Sequence, residues 1–441
     1  MATVEELVDF GRRSYFAGKR DLYSSVVKEL GGVIRRFADQ DQIDLAIQLE
    51  GIWYNSLVKL VESEDNYRSA FSGHYHALWE AGTRRRKLAS SGDGGDVCFV
   101  IPNGVLLGHT QVMLEIIRSW QLDNLAVRAV VVSLSSFDDK LLAGLRGLGI
   151  RYFCPPSSGL GIVAIAEWAR EVIRRENCTT AIWVSVPCVV SFLFGFGIAP
   201  RQVFWSLKFH PVHLGPSVLH IAMTPPGRGD VHFDGKIWKR FSPPLSVPDV
   251  LGNDQKISDL RDRLDGEFIF GALARTEKFN SIAYVDAVVD IVSRCPGSIF
   301  VYTGHQDSPT IVEGFRRVGL TKSLRYVGWV DTNLYAQSLD VFLETFPFGC
   351  GVTGAQAVNA GTRTVSLWCD ETLPRYYFES LGSARELFRH WRIETEVDGY
   401  VRAAVECFRE GVSPPHDQVK AQLKELDRDK ARAFYALLRS D

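Results

Sequence analysis

The stretch ETFPFGCGVTGAQAVNAGTRTV, Glu344 to Val365, follows directly on the apolar start of DVFLETF at Asp340. An apolar run that reads as a strand thus meets a loop of small residues, Gly349 to Gly354, and then a helix-forming run. Small residues let another molecule approach the backbone closely. The free N–H groups and positive dipole end of the following helix then point at that molecule. The pattern therefore predicts an anion site, with phosphate the first candidate. An ordinary tight strand-to-helix connection is the alternative for a glycine-rich loop taken alone.

Working outward, the same grammar fills the second half of the chain. After the proline-rich FSPPLSVPDV and a charged helix come strand EFIFGAL, helix IAYVDAVVDIVSR, strand SIFVYTG and a helix around Thr310 to Val318. LRYVGWV, LYAQSL, DVFLETF, the helix after Gly354 and strand TVSLW complete the run. The first half repeats the rhythm: VCFVI, TQVMLEIIRSW, RAVVVSL, DKLLAGLRGLG, IRYF, GIVAIAEWAREVIRR and AIWVSV, extended by RQVFWSL and LHIAMT. Continuous Val/Ile/Phe strands alternating with helices predict parallel sheets covered on both faces. Two Rossmann-like halves in succession place a cleft between them, with ligands outside the carboxyl ends of the strands.

Before Val97 the spacing changes. LVDFGRRSYFAG, LYSSVVKELGGVIRRFA and IDLAIQLEGIWYNSLVKLVES show helical rather than strand periodicity. The break KLASSGDGGD separates them from the first strand. The expected organisation is an all-helical domain over 1–93, a Rossmann-like domain over 94–244 and a second Rossmann-like domain over 245–441. A chain of 441 residues accommodates two or three domains at about 100 to 200 residues each.

Composition excludes several function classes. A net charge of −2 offers no general affinity for nucleic acid, and the RRRK run at Arg84 to Lys87 reads as a solvated helix end or linker. No apolar run reaches the roughly 18 residues of a membrane span, because Pro187 and the glycines divide AIWVSVPCVVSFLFGFGIAP. The amphipathic start, with early acids, is unlike a signal peptide. Eight scattered cysteines without CxxC pairs read as reduced thiols, and a cytoplasmic location is expected.

The segment DVFLETFPFGCGVTGAQAVNAGTRTVSL resembles the donor site of family 41 glycosyltransferases, which include O-GlcNAc transferases and the bacterial adhesin N-glucosyltransferases. FPFG is most similar to the bacterial branch. FGALARTEKFNS resembles the family's strand-loop bearing a phosphate-binding lysine, and APRQVFWSLKFHPVHLGPSVLHIAMTPP resembles a segment of the first half of its core. The three matches occur in the family's order. One departure stands out: the family loop often carries a histidine or asparagine before paired threonines, where this chain has Gly351, Val352 and Thr353.

The resemblance implies a GT-B fold and an inverting, metal-independent transferase moving a hexose or N-acetylhexosamine from a UDP-sugar. The implied acceptor is a protein side chain, Asn or Ser/Thr. A glycan or small-molecule acceptor, another GT-B user of nucleotide sugars, or a non-catalytic GT-B binding protein are the competing readings. UDP-sugar is a co-substrate, so no resident cofactor is expected. No DxD pair stands at a strand end, and no metal is expected either. The paired glutamates of many retaining GT-B enzymes are missing from NAGTRTV.

Site residues follow. Arg275 and Lys278, three residues apart after EFIFGAL, can both face that strand's end, and fixed positive charge is what a departing diphosphate needs in place of a metal. The amides of Gly351, Val352, Thr353 and Gly354, with the Thr353 hydroxyl, hold the same group from the helix start. Gln356, one turn further, is a candidate for the ribose or sugar. The backbone from Val327 to Val330 is placed at the nucleobase by the resemblance alone. His109, which follows the first strand and opens a helix, is the candidate base, with His210 in KFHPVHLGP as its rival. His305 and Asp307 in YTGHQDS are either nucleotide contacts or an exposed turn.

Overall fold

The structure, a computed structural model, describes residues 3–16, 19–58, 73–86, 96–185, 187, 189–206, 212–222, 230–233, 235–241, 253–369, 374, 389–411 and 417–439. Of KLASSGDGGD only Asp96, and of FSPPLSVPDV only Phe241, fall within these. His210 lies outside them. Two compact units emerge: residues 1–225 with 229–242 and 431–441, and residues 243–430 with 226–228.

The first unit opens with helices α1 (Val4–Phe16), α2 (Arg20–Asp39), α3 (Ile43–Ser56) and α4 (His74–Thr83). Then come β1 (Asp96–Ile101), α5 (Gly108–Leu122), β2 (Ala129–Ser133), α6 (Asp139–Gly147), β3 (Arg151–Phe153), α7 (Ile162–Arg175) and β4 (Cys178–Val184). Helix α8 (Val190–Phe196) and strands β5 (Arg201–Ser206), β6 (Leu219–Ala222), β7 (Val231–Phe233) and β8 (Lys236–Arg240) complete its sheet. The order β3-β2-β1-β4-β5-β6-β8-β7 is parallel except for β7, and it reverses direction between β1 and β4. β1 and β4 are almost wholly buried, as strands covered on both faces must be.

The early helices share the first unit's core. Residues of α1 to α4, including Trp53, Tyr75 and Leu78, pack in one apolar cluster with residues of β1, β4 and α8. The contact between α4 and α8 is backbone on backbone. A Cβ on Gly82 would lie 2.2 Å from the Phe192 carbonyl oxygen, and one on Gly195 would lie 2.2 Å from the Trp79 carbonyl oxygen. Only glycine fits at both places.

The second unit runs α9 (Asn253–Leu264), β9 (Phe268–Ala272), a 3-10 turn (Thr276–Asn280), α10 (Ile282–Arg294), β10 (Ser298–Tyr302), α11 (Pro309–Arg317) and β11 (Leu324–Tyr326). It continues through α12 (Thr332–Ser338), β12 (Val341–Leu343), α13 (Val352–Asn359), β13 (Arg363–Leu367), β14 (Trp391–Glu394), α14 (Val397–Arg409) and α15 (Asp417–Arg439). All six strands are parallel in the order β11-β10-β9-β12-β13-β14, with the reversal between β9 and β12. LRYVGWV keeps only its first three residues as strand. β7, β8, β14 and the last two helices are additions to what the sequence pattern predicts.

Residues from Ala431 onward belong to the first unit. The Trp120 indole donates to the Ala431 carbonyl at 2.8 Å, Arg432 pairs with Asp123 at 2.7 Å, and the Phe434 ring sits 4.5 Å from Phe241 and 5.2 Å from Trp205. Among the described residues no helix is long and apolar enough to cross a membrane.

Candidate functional site

Both decisive loops of the second unit leave from the sheet's reversal point: Leu273 to Asn280 after β9, and Glu344 to Gly351 after β12. Three strand-end loops are stitched together there. Thr303, after β10, accepts from the Ala274 N–H and donates to the Ala274 carbonyl, each at 2.8 Å. Thr276 donates to the Gln306 carbonyl at 2.7 Å. The Thr353 hydroxyl donates to the Leu273 carbonyl and, at 3.1 Å, to that of Cys350.

Lys278 sits in the 3-10 turn, and its ammonium donates to the carbonyl of Gly349. The cation predicted for the β9 loop and the glycine loop predicted after β12 therefore meet. Arg275, half-buried at the start of the same turn, makes no side-chain hydrogen bond or ion pair among the described residues. The Tyr284 and Tyr400 hydroxyls donate to the Leu343 and Glu344 carbonyls at 3.0 Å each, holding the β12 end from beneath.

Helix α13 starts at Val352, three residues earlier than a helix after Gly354 would, with Gly351 as its N-cap. Gly351 adopts φ 60° and ψ −119°, a conformation side chains resist. The amides of Val352, Thr353 and Gly354 occupy its first turn, where helices leave donors unsatisfied. Gln356 is neither solvated nor open: it is buried, and its Oε1 accepts from the Thr332 hydroxyl at 2.8 Å, tying α13 to α12.

On the other flank, the Val327 N–H donates to the Tyr302 carbonyl at 3.1 Å and the Gly328 carbonyl accepts from Gly304 at 3.2 Å. Those two backbone groups are thus engaged in joining the loops after β10 and β11, and the half-buried Val330 follows them. The His305 ring stacks on Trp329 with centroids 4.2 Å apart and planes at 10°. Asp307 accepts from the Tyr302 hydroxyl at the end of β10, and both it and His305 are exposed, in agreement with the exposed-turn reading.

In the first unit His109 is the second residue of α5, after the loop that leaves β1 at the reversal point. That loop is pinned: the Thr110 hydroxyl accepts from the Leu107 N–H at 2.7 Å and donates to the Val105 carbonyl at 2.9 Å, and Asp138 accepts from the Leu106 N–H at 3.0 Å. Burial pushes the His109 pKa down to about 4. The premise of an unperturbed imidazole is thereby corrected: the ring is neutral throughout the physiological range and a weaker base than free histidine. His213, three residues after His210 in the sequence, packs its ring 4.6 Å from His76 and 4.8 Å from Trp79.

The sequence pattern singled out Lys278 and the glycine loop, which do come together. It missed Thr276, Thr303 and Thr332, whose hydroxyls fix the loops; only the Asp331-Thr332 helix start carried a visible signal, and Asp331 does cap α12 at 3.0 Å.

No protein-family model and no curated protein sequence matches the chain. Solved structures do. A lysine-to-methionine mutant of the Thermobaculum terrenum O-GlcNAc transferase is similar at 14% identity and a TM-score of 0.51, over 100% of this chain and 95% of that one. Anabaena HepE, solved with UDP and glucose, is similar at 14% identity and 0.50, over 77% and 95%. The lipopolysaccharide outer core galactosyltransferase WaaB is similar at 12% identity and 0.51, over 78% and 99%. At these identities the likeness establishes the architecture: two α/β units of the GT-B fold, shared with glycosyltransferases.

Proposed function

We propose that this protein is an inverting, metal-independent glycosyltransferase of the family 41 kind, moving a hexose or N-acetylhexosamine from a UDP-sugar to an Asn or Ser/Thr side chain of a protein. The observation that carries the reading is the meeting of Lys278 with the Gly349 carbonyl at the reversal point of the second sheet, beside the start of α13. A cation and a row of free amides converge where open α/β sheets take their ligands. HepE, of similar fold, was solved with UDP and glucose.

In this mechanism the acceptor heteroatom attacks the anomeric carbon as the bond from that carbon to the β-phosphate oxygen breaks. The electron pair leaves with UDP, whose growing charge is met by Lys278, Arg275 and the amides of Val352 to Gly354. This fixed charge replaces a metal. The acceptor proton passes to a base, assigned to His109 with His210 as the rival. Val327 to Val330 take the nucleobase edge, through the groups left by the Val327 and Gly328 hydrogen bonds. In this reading the domain expected over 245–441, less the segment 431–441 that packs in the first unit, is the donor side, 94–244 is the acceptor side, and the reaction runs in the cytoplasm.

Thermal shift with UDP, UDP-glucose and UDP-N-acetylglucosamine, with and without EDTA, tests the donor side. A UDP-dependent rise in melting temperature that survives EDTA is expected; no rise with any nucleotide sinks the reading. Mass spectrometry of Asn- and Ser/Thr-containing peptides incubated with enzyme and donor tests the acceptor.

A further inference from the structure

Two carboxylates of α3 reach out of the helical segment to cap helices of the first sheet. Asp44 accepts from the Ile162 N–H at 2.6 Å, at the start of α7, where Gly161 has no side chain to cap with. Glu50 accepts from the Val189 N–H at 3.0 Å, at the start of α8. The two caps differ in place. α7 follows β3 at the sheet edge, whereas α8 follows β4, which lies beside β1 at the reversal point.

The turn that Glu50 grips is strained. Val189 adopts φ 57°, the left-handed region that β-branched residues avoid. Such a conformation persists only where its surroundings over-determine it, and it is common at functional sites. Here the surroundings are visible. Glu50 is wholly buried, α8 is welded to α4 through Gly82 and Gly195, and the Ser191 hydroxyl is buried without a hydrogen bond among the described residues. Burial raises the Glu50 pKa to about 8, so near neutrality it acts as an acid whose carbonyl oxygen accepts the N–H. An amide can do the same.

We infer that Glu50 is a positioning residue for the acceptor: by gripping the left-handed turn at Val189, it fixes the β4 strand end against which an acceptor peptide lies beside the His109 loop. The inference rests on the transferase reading above. It assigns the helical segment a task in the reaction, distinct from the structural task of Asp44.

The test compares Glu50→Ala, Glu50→Gln and Asp44→Ala in the full-length protein. It measures kcat and KM for the Asn- or Ser/Thr-containing peptide that accepts sugar, UDP affinity by calorimetry, and amide exchange over 189–196 and 162–175. Glu50→Ala is expected to raise the peptide KM at least fivefold, hold kcat within twofold, leave UDP affinity unchanged and speed exchange over 189–196 alone. Glu50→Gln should behave as wild type. Asp44→Ala should speed exchange over 162–175 with no change in KM. If Glu50→Ala does not fold, Glu50→Asp, which withdraws the acid by one methylene, must show the same pattern in weaker form. An unchanged KM in Glu50→Ala, an unchanged exchange over 189–196, or an equal rise in KM in Asp44→Ala overturns the inference while UDP binding keeps the donor reading standing. Loss of UDP binding in the wild type overturns the donor reading, and absence of transfer to any peptide overturns the acceptor reading and this inference together.

Discussion

Lys278 donates its ammonium hydrogen bond to the carbonyl of Gly349, a residue 71 positions further along the chain and on the loop of the neighbouring strand. A neutral carbonyl is a weaker partner for an ammonium than a diphosphate oxygen, because the anionic oxygen adds the attraction of opposite charges to the hydrogen bond. Lys278→Ala should therefore lower kcat/KM by about 2 to 4 kcal/mol, some tens- to several-hundred-fold. Circular dichroism should remain that of the wild type. Near-normal turnover would remove Lys278 from the leaving-group site.

Gly351 offers a cleaner backbone test. Nothing lies within 4 Å of a Cβ built on it, yet its φ of 60° disfavours any side chain. Gly351→Ala should lose stability by about 1 to 3 kcal/mol from strain alone. It should also weaken UDP binding, since the first turn of α13 must shift to relieve that strain. A melting temperature and UDP affinity equal to those of the wild type would contradict both expectations.

The base is tested through pH. His109 has a pKa depressed to about 4, so its neutral, proton-accepting form persists down to that value. The acid limb of kcat/KM assigned to it should lie near pH 4 rather than near the usual histidine value of about 6.5. His109→Ala should reduce turnover by about 10²- to 10⁴-fold and spare UDP affinity. His210→Ala is measured in parallel. An acid limb near 6.5 that vanishes in the His210 variant moves the role there.

Stability should also follow pH, with signs set by two buried groups. The folded pKa of Glu50, about 8, lies above its ordinary value of 4.5, so its contribution is complete below pH 4.5 and is lost as pH rises toward 8. The folded pKa of His74, about 3, lies below its ordinary 6.5, so its contribution is complete above pH 6.5 and is lost as pH falls toward 3. Burial depresses His109 and His220 to about 4 and adds to the acid loss. Of these four groups only Glu50 still loses stabilisation from pH 6.5 to 8, on the order of 2 kcal/mol. Urea unfolding at the two pH values should show it in the wild type and not in Glu50→Gln.

Much of this architecture can be read from residue order. Buried parallel strands announce themselves as unbroken Val/Ile/Phe runs, and β1, β2, β4, β9, β10 and β12 all coincide with such runs. The short strands β7, β8 and β14 do not. KIWKR flanks two bulky residues with three charges, and only Trp238 of β8 is fully buried, so its pattern resembles a loop. At the site, Lys278 and the glycine loop were legible because charge and small size are local properties. Thr303 and Glu50 were not: each acts on a backbone group, Ala274 and Val189, whose distance in sequence hides the pairing. The depressed pKa of His109 was equally hidden, since burial depends on neighbours that only the folded chain supplies.

The return of the segment Ala431–Arg439 to the first unit bears on how the molecule is made. Trp120, Trp205 and Phe241 lie against Phe434, a residue translated only after the whole second unit. The first unit's aromatic face thus waits open on the ribosome while about 190 further residues emerge, and loops of that span close slowly. Deleting 431–441 should leave that face uncovered for good, giving a soluble second unit and an aggregating first one. Folding of the early half is completed by a segment translated after the second unit.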